Sequence, residues 1–203
     1  LVADHKILND TDHQSQYKMQ ALIILDLFTQ WLQGYAVESK SARDTLMSFK
    51  TFLGPKVKAQ HVYTDNAKEF AKALRELETS HDTSTPHRSE TNGRAERAVR
   101  RVIEGTTCAL DQSGLDEYWW DLAMSCYCFL RNVHDQLEDG KTAYQRRYKQ
   151  DFVGPILPFG LVVEYKPISQ KDKDRIHKMG RQVIPGIFVG YHQREGLSLI
   201  HIS

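Results

Sequence analysis

Acidic side chains beside predicted strands and helices are the first candidates for chemistry in this chain. Asp65 comes directly after the strand-like segment QHVYT (60–64) and precedes Asn66, which predicts a carboxylate at the carboxyl end of a strand. Ligands of open α/β sheets bind at that edge. An Asp-Asn pair after a strand is also typical of an ordinary turn or helix cap, and position alone leaves both interpretations open.

Glu96 lies in a predicted long helix that begins at Gly93, on the border of the apolar stripe of that helix. Three arginines lie on the solvent side of this border: Arg94, Arg97 and Arg101. A carboxylate beside the core is suited to hold a metal while neighbouring cations hold phosphates. The alternative is an ion pair with Arg100, worth about a few tenths of a kcal/mol, and helix geometry alone favours that alternative.

The segment PHRSETNGRAERAVRR (86–101) concentrates positive charge. It carries five arginines and two glutamates, a local formal charge of +3. Arginine suits phosphate because its planar guanidinium can donate two parallel hydrogen bonds. The cluster therefore predicts either a groove for a polyanion or a solvated helix face, and both readings remain open.

Composition excludes several classes of protein. The chain has 203 residues, of which 40% are hydrophobic and 26% charged, with a net charge of +1; it can bury a core and is neither disordered nor fibrous. No apolar run approaches the length of a membrane span. The three cysteines, Cys108, Cys126 and Cys128, rule out a disulfide framework. We interpret Cys126 and Cys128, with Trp119 and Trp120, as helix core rather than a metal or cofactor site.

Predicted strands and helices must position these candidates. Alternation and apolar runs predict strands over 1–8, 21–25, 34–39, 60–64 and 82–85. Helical spacing predicts helices over 41–53, 68–77, 93–113, 116–133 and 141–148. This order of elements is typical of an α/β domain with a mixed sheet.

The pattern changes after the last predicted helix. Prolines punctuate two short β-like runs at 161–165 and 186–191, so we place a boundary at residue 152 and expect residues 153–196 to form a truncated small β module. Residues 197–203, LSLIHIS, resemble the translated read-through of a sequencing adapter. We expect them to be a non-native tail, the alternative being an ordinary strand, and we expect the chain to be an internal piece of something longer.

Two motifs, in this order, resemble the catalytic core of retroviral-type integrases, most closely the copia-type retrotransposon branch. One is YTDNAKEF (63–70) and the other is TPHRSETNGRAERAVR (85–100). The segment LIILDLFTQWLQGYAVESKS (22–41) is similar to the second and third strands of that family. PFGLVVEY and VIPGIFVGYH, within 158–192, resemble the region that follows the copia-type core.

The resemblance implies a ribonuclease H-like fold, with a five-stranded mixed sheet flanked by helices and residues 1–152 as the core. It also implies three catalytic, metal-binding carboxylates. By motif, the second is Asp65 and the third is Glu96. The first belongs on the first strand, which indicates Asp4; Asp26 is a rival because it ends the most apolar strand, while Asp10 and Asp12 fit less well in a polar loop.

The chemistry implied by the resemblance is polynucleotidyl transfer to DNA, with endonuclease activity, at two Mg²⁺ ions for which Mn²⁺ substitutes. We expect Asp4 to bridge both ions and Asp65 and Glu96 to complete one site each. The resemblance and the charge pattern together assign DNA binding to five residues: His87, Asn92, Arg94, Arg97 and Arg101. For His87 and Asn92, a plain loop residue is the alternative.

Partners and competing functions follow from the same reading. We expect element-end and target DNA as partners, a homo-oligomer on DNA, no membrane, and an intracellular location that is nuclear when the protein acts on DNA. The main alternative is a catalytically inactive DNA-binding relic or domesticated module. A ribonuclease H-type nuclease is the other, and it would hydrolyse an RNA–DNA hybrid without joining strands.

Overall fold

The computed structural model describes residues 1–7, 20–55, 57–83, 89–167, 170–174, 176–177, 179–192 and 197–201, with backbone only for 89–92, 171–172 and 197–201. The strands are β1 (Val2–Ile7), β2 (Gln20–Leu25), β3 (Leu32–Val37), β4 (His61–Thr64), β5 (Ser80–Thr83), β6 (Val162–Tyr165), β7 (Ile184–His192) and β8 (Leu197–His201). The α-helices are α1 (Ala42–Leu53), α2 (Lys68–Glu76), α3 (Ser89–Ser113), α4 (Trp120–His134), α5 (Ala143–Tyr148) and α6 (Gln170–Lys173).

The first five strands form one mixed sheet in the order β3-β2-β1-β4-β5. β1, β2 and β3 pair antiparallel, whereas β4 runs parallel to β1 and β5 parallel to β4. β1 is therefore the central strand, with Asp4 opposite Ile23 of β2. The predicted five-stranded mixed sheet flanked by helices is confirmed.

β2 is buried on both faces, as its unbroken apolar run predicts. Leu22 and Ile24 pack in one hydrophobic cluster, with Phe49 of α1. Ala21 and Ile23 point to the other face and pack against Val102 of α3, because successive side chains of a strand alternate between its faces. The sheet thus holds helices on both sides, and α3 lies over the face that carries Ala21 and Ile23.

The sequence placed the start of α3 too late. The helix begins at Ser89, four residues before the predicted Gly93, and runs for 25 residues. A Cβ built at Gly93 would have no neighbour within 4 Å, so this glycine lies inside the helix where a side chain would have room, and it costs about 1 kcal/mol relative to alanine. Glycine alone was therefore a poor sign of the helix start.

α4 forms the other half of the helical layer. Asp116 caps a short 3₁₀ helix, Glu117–Trp119, and α4 follows from Trp120. Cys126 and Cys128 are fully buried in the two hydrophobic clusters, and burial raises the pKa of each thiol to about 12. Their interpretation as core residues is confirmed.

The second sheet has the order β6-β7-β8, and its strand β7 packs on α4. The Tyr191 ring stacks on Phe129 of α4 with their centroids 4.4 Å apart, and Phe188 is fully buried in the same cluster as Phe49 of α1. β7 therefore shares the core of the five-stranded sheet. The boundary at residue 152 stays a prediction.

Residues 197–201 pair antiparallel with β7 as β8. This is the ordinary strand that the sequence allowed as the alternative, whereas the non-native origin of residues 197–203 stays a prediction. Within the described ranges, no helix is long and apolar enough to cross a membrane.

Candidate active site

One pocket collects the three carboxylates that the sequence singled out. It has a volume of about 170 Å³ and is lined by Ala3, Asp4, Tyr63, Thr64, Asp65, Ala95 and Glu96. These residues come from the central strand β1, from the carboxyl end of β4 and from the first described turns of α3. Residues far apart along the chain therefore meet where the parallel strands β1 and β4 lie side by side.

Asp4 is the most enclosed of the three carboxylates. It lies in the middle of β1 and is half-buried between the buried residues Ala3 and His5. Burial raises the pKa of Asp4 most, the negative charge of Asp65 raises it further, and Glu96 adds a smaller repulsion. The three carboxylates are thus close enough for their charges to act on one another.

Asp65 is exposed at the end of β4 and is held by its own turn. Its Oδ1 accepts a hydrogen bond from the Ala67 backbone N–H at 3.3 Å. Beneath it, the buried Thr64 hydroxyl donates to the Asp65 carbonyl oxygen at 2.8 Å and lies 2.8 Å from His81 Nε2. Asp65 therefore makes the turn that its sequence suggested and also lines the pocket, so the two readings are compatible.

Glu96 is exposed, and its helix is fixed by the residues that follow it. Ala98, Val99 and Val102 are buried in one cluster with Ala21 and Ile23 of β2, which holds this part of α3 over the sheet. Glu96 lies at the edge of that buried stripe, as its helical position predicted, and reaches the pocket beside Ala95.

His5 was missed by the sequence reading. Its ring is 9% exposed, lies 4.7 Å from the Phe70 ring centroid and is 3.4 Å from the Thr45 hydroxyl. Burial lowers the pKa of His5 to about 4, with a smaller contribution from Lys40. Strand alternation was the available signal, because Asp4 and His5 must face opposite sides of β1.

Asp26, the rival for the first carboxylate, has a different role. Its carboxylate accepts hydrogen bonds from the Phe28 N–H at 3.0 Å and from the Thr29 hydroxyl at 2.5 Å, which closes the turn between β2 and β3. The structure therefore brings Asp4, and not Asp26, to the pocket with Asp65 and Glu96. Asp10, Asp12 and His87 lie outside the described residues, and so does the side chain of Asn92.

The predicted DNA-binding arginines line a separate cavity. Arg94, Arg97 and Arg101 are exposed on α3 and share a cavity of about 480 Å³ with Arg131 of α4. Glu96 and Arg97 are adjacent in sequence yet line different cavities. The structure thus places a basic cavity and an acidic pocket along the same helix.

The donor chemistry of the acidic pocket fits Mg²⁺, which prefers carboxylate oxygens and is usually held by one or two carboxylates plus waters and substrate phosphate. Within the described ranges, no three His, Cys, Asp or Glu side chains lie close enough to form a complete metal site by themselves. The pocket therefore fits ions that also take ligands from solvent and substrate rather than an all-protein cage.

Comparison with known proteins gives relatives of one kind. The chain is 31% identical over 118 residues to the retrovirus-related Pol polyproteins from transposons RE2 and RE1 of Arabidopsis thaliana. The alignment covers 55% of this chain and 8% of each polyprotein, so the chain spans less than a tenth of the relatives it matches. No protein-family model matches it.

Two solved structures have a similar fold. The catalytic core domain of BIV integrase superposes with a TM-score of 0.54 at 16% identity, covering 73% of this chain and 92% of that core. The HTLV-2 integrase catalytic core domain in complex with magnesium, in a trimeric form, gives a TM-score of 0.53 at 20% identity, covering 71% and 92%. The ribonuclease H-like fold and the resemblance to integrase catalytic cores are confirmed.

Proposed function

We propose that this chain is the catalytic core of a retrotransposon integrase, which inserts element DNA into target DNA by metal-dependent polynucleotidyl transfer. The observation that carries the proposal is the convergence of Asp4, Asp65 and Glu96 on one pocket in the fold of integrase catalytic cores. The similarity to retrotransposon Pol polyproteins supports the same assignment.

The reaction is a phosphodiester exchange. The oxygen of a DNA 3′-hydroxyl forms a bond to a target phosphorus, while the bond from that phosphorus to the target 3′-oxygen breaks and leaves a new 3′-hydroxyl. One phosphodiester is formed for each one broken, so no external energy source is needed. With water as the attacking group, the same site would act as an endonuclease.

Asp4, Asp65 and Glu96 would hold the divalent ions of this reaction, which we propose to be Mg²⁺ with Mn²⁺ as a substitute. When bound, such ions stabilise the negative charge on the attacking and leaving oxygens. Burial raises the pKa of Asp4 most, and repulsion from Asp65 and Glu96 raises it further. A positive charge in the pocket would relieve that repulsion, which favours capture of cations. The strands and α3 fix the backbone positions of these three residues.

The proposal extends to partners and location. Element-end DNA and target DNA are the substrates, and the protein assembles as a homo-oligomer on them; the trimeric form of the HTLV-2 core is an example of assembly in a protein of similar fold. We propose an intracellular location, nuclear when the protein acts on DNA. Arg94, Arg97 and Arg101 bind DNA phosphates in this scheme, and His87 and Asn92 contact the DNA end.

A strand-transfer assay tests the proposal. The 203-residue chain is incubated with a labelled duplex carrying a free 3′-hydroxyl end, a target duplex and Mg²⁺. Asp65→Asn and Glu96→Gln should each reduce joined product by at least about 100-fold, since each removes a proposed metal ligand. Glu104→Gln is the matched control, because Glu104 is an exposed glutamate of the same helix that does not line the pocket.

Equal activity in the parent chain and Asp65→Asn would reject the assignment. The inactive DNA-binding module is the second candidate, favoured by the basic cavity of Arg94, Arg97, Arg101 and Arg131, which would attract DNA without any catalysis. Calorimetric titration with MgCl₂ separates the two. Mg²⁺ binding that Asp65→Asn weakens supports the enzyme, and DNA binding without any carboxylate-dependent Mg²⁺ binding supports the module.

A further inference from the structure

The basic cavity beside the acidic pocket is built around one buried arginine. Its lining residues come from the β2–β3 hairpin and from helices α3 and α4: Leu25, Leu27, Gln30, Leu32, Arg94, Arg97, Ala98, Arg101 and Arg131. Four of these nine side chains are arginines, and none of the lining residues is acidic. We propose that this cavity binds a backbone phosphate of DNA, with Arg131 as its floor and the arginines of α3 as its rim.

Arg131 is a charged residue in a buried position. Its side chain is only 5% exposed, although arginine is almost never fully buried without a partner. Its Nη1 donates to the Gln30 carbonyl oxygen and, at 3.1 Å, to Asn132 Oδ1. Both acceptors are neutral, so these bonds hold the guanidinium in place without neutralising its charge.

The rest of the guanidinium is incompletely satisfied. Among the described residues, Arg131 Nε is buried without a hydrogen-bond partner. The carboxylate facing it, that of Asp135, is 52% exposed and lies 3.9 Å from Nε, which is too far for a hydrogen bond. Arg131 lines the cavity, but its Nε is enclosed, so a ligand oxygen would contact the part of the side chain that faces the cavity and not Nε.

The surrounding charges point to an anion. Burial lowers the pKa of Arg131 most and the positive charge of Arg101 lowers it further, whereas the carboxylate of Asp135 raises it. A phosphate oxygen between Arg101 and Arg131 would turn the repulsion of these two arginines into attraction, and arginine binds phosphate with two parallel hydrogen bonds. The cavity volume of about 480 Å³ lies within the usual range of about 300–1,000 Å³ for ligand sites.

The position of the cavity favours a polymeric phosphate over a small free anion. Glu96 and Arg97 are adjacent on α3, one in the acidic pocket and the other at the cavity. A DNA strand that enters the acidic pocket would carry further phosphates along this helix. The inference rests on the proposed function for the identity of the polyanion as DNA, and it adds Arg131 to the residues that bind it.

Salt-dependent DNA binding tests the cavity. Fluorescence anisotropy is measured for the 203-residue chain with a labelled duplex of about 25 base pairs, in EDTA, from about 50 to 200 mM salt. Arg97→Gln and Arg101→Gln should each weaken binding about five- to tenfold and reduce the slope of log K against log [salt] by about one. The loss should be the same for two unrelated duplex sequences, because phosphates carry no sequence information.

Arg100→Gln is the matched control. Arg100 is exposed on the same helix, next to Arg101, but does not line the cavity; it should lose less than half as much affinity as Arg101→Gln. Equal losses in all three variants would overturn the inference, because they would indicate diffuse attraction by the helix. A parent chain that does not bind the duplex at about 50 mM salt would also overturn it.

Arg131→Lys tests the floor of the cavity while keeping the charge. It should weaken binding at least threefold, with a thermal unfolding midpoint within about 4 °C of the parent. Unchanged affinity in this variant would remove Arg131 from the site. Repeating the arginine variants in an Asp65→Asn background separates the inference from the proposed catalysis: the affinity losses should persist in a protein that joins no DNA.

Discussion

The acidic pocket and the basic cavity share helix α3 but are constructed differently. In the pocket, Asp4 and Asp65 belong to paired strands or their ends, so the sheet fixes their backbone. In the cavity, three of the four arginines are exposed on one helix surface, and only Arg131 is enclosed. The pocket thus depends on the pairing of strands from different parts of the chain, whereas the rim of the cavity consists of side chains from a single helix.

Both sites nevertheless concentrate one sign of charge. The pKa of Asp4 is raised by burial and by Asp65, and that of Arg131 is lowered by burial and by Arg101. Each shift means that the charged group is destabilised in the folded protein. Opposite charges would relieve both, so the proposed ligands, cations in the pocket and phosphates in the cavity, would each stabilise the site that holds them.

The largest effect is expected for Asp4→Asn. Strand transfer should fall at least about 100-fold through loss of a metal ligand. The metal-free variant should nonetheless unfold at a temperature at least as high as the parent, because a carboxyl with a raised pKa destabilises the fold once it is charged at neutral pH. Strand-transfer assays check the loss of activity, and thermal unfolding in EDTA checks the stability. An unfolding midpoint several degrees below that of the parent would contradict the view that the charged Asp4 carboxylate destabilises the fold.

Asn132→Ala should damage the support of the basic cavity instead. Asn132 accepts from the Leu32 N–H at 3.0 Å and donates to the Leu32 carbonyl at 2.7 Å, joining α4 to β3. Removing it leaves buried backbone groups unpaired and should cost about 2–4 kcal/mol in urea unfolding. Asn66→Ala, at an exposed asparagine, should stay within about 0.5 kcal/mol; an equally small effect of Asn132→Ala would contradict this anchoring role.

His5, on the face of β1 opposite Asp4, gives the stability of the folded chain a pH dependence. Its pKa is lowered from 6.5 to about 4 in the folded chain, so between these values the unfolded chain binds a proton that the folded chain does not. Stability must therefore fall as the pH drops through this window. From pH 7 to pH 5 the contribution is about 2 kcal/mol.

Urea unfolding at the two pH values measures it. His5→Gln should lose about 2 kcal/mol less than the parent between pH 7 and pH 5. His134→Gln is the control, because the His134 side chain is 75% exposed, and it should follow the parent. Identical pH profiles for the parent and His5→Gln would show that His5 is not buried in its neutral form.

The elements, and the places of Asp65 after a strand and of Glu96 on a helix border, were predictable because local pattern determines them. The run 21–24 is buried on both faces, Ser41 caps α1 through the Asp44 N–H at 3.1 Å, and Asp65 ends a short parallel strand. Each of these depends on neighbours within a few positions. The choice of Asp4 over Asp26 depended on the resemblance, and the hydrogen bonds of Asp26 in its turn supply the physical reason.

The sequence does not reveal which elements, distant along the chain, pack against each other. Arg131 reads as an ordinary basic residue near the end of α4, since Arg near a helix C-terminus is common. Its burial depends on Gln30 and Asn132, which hold it from the β2–β3 hairpin and its own helix. The packing of β7 on α4 could not be predicted for the same reason. Phe129 and Tyr191 stack on each other although they are 62 positions apart, and no local sequence pattern links them.

The smallest expected effect is that of Arg101→Gln on the stability of the chain without DNA. Arg101 is exposed, and after burial its positive charge is the next cause that lowers the pKa of Arg131, so these two charges repel each other in the folded chain. Arg101→Gln should therefore leave the free energy of unfolding unchanged or raise it by up to about 0.5 kcal/mol at low salt. Urea unfolding without DNA measures this. A loss above about 1 kcal/mol would mean that Arg101 stabilises the folded chain without DNA. The rim of the basic cavity would then contribute to the fold and would not serve ligand binding alone.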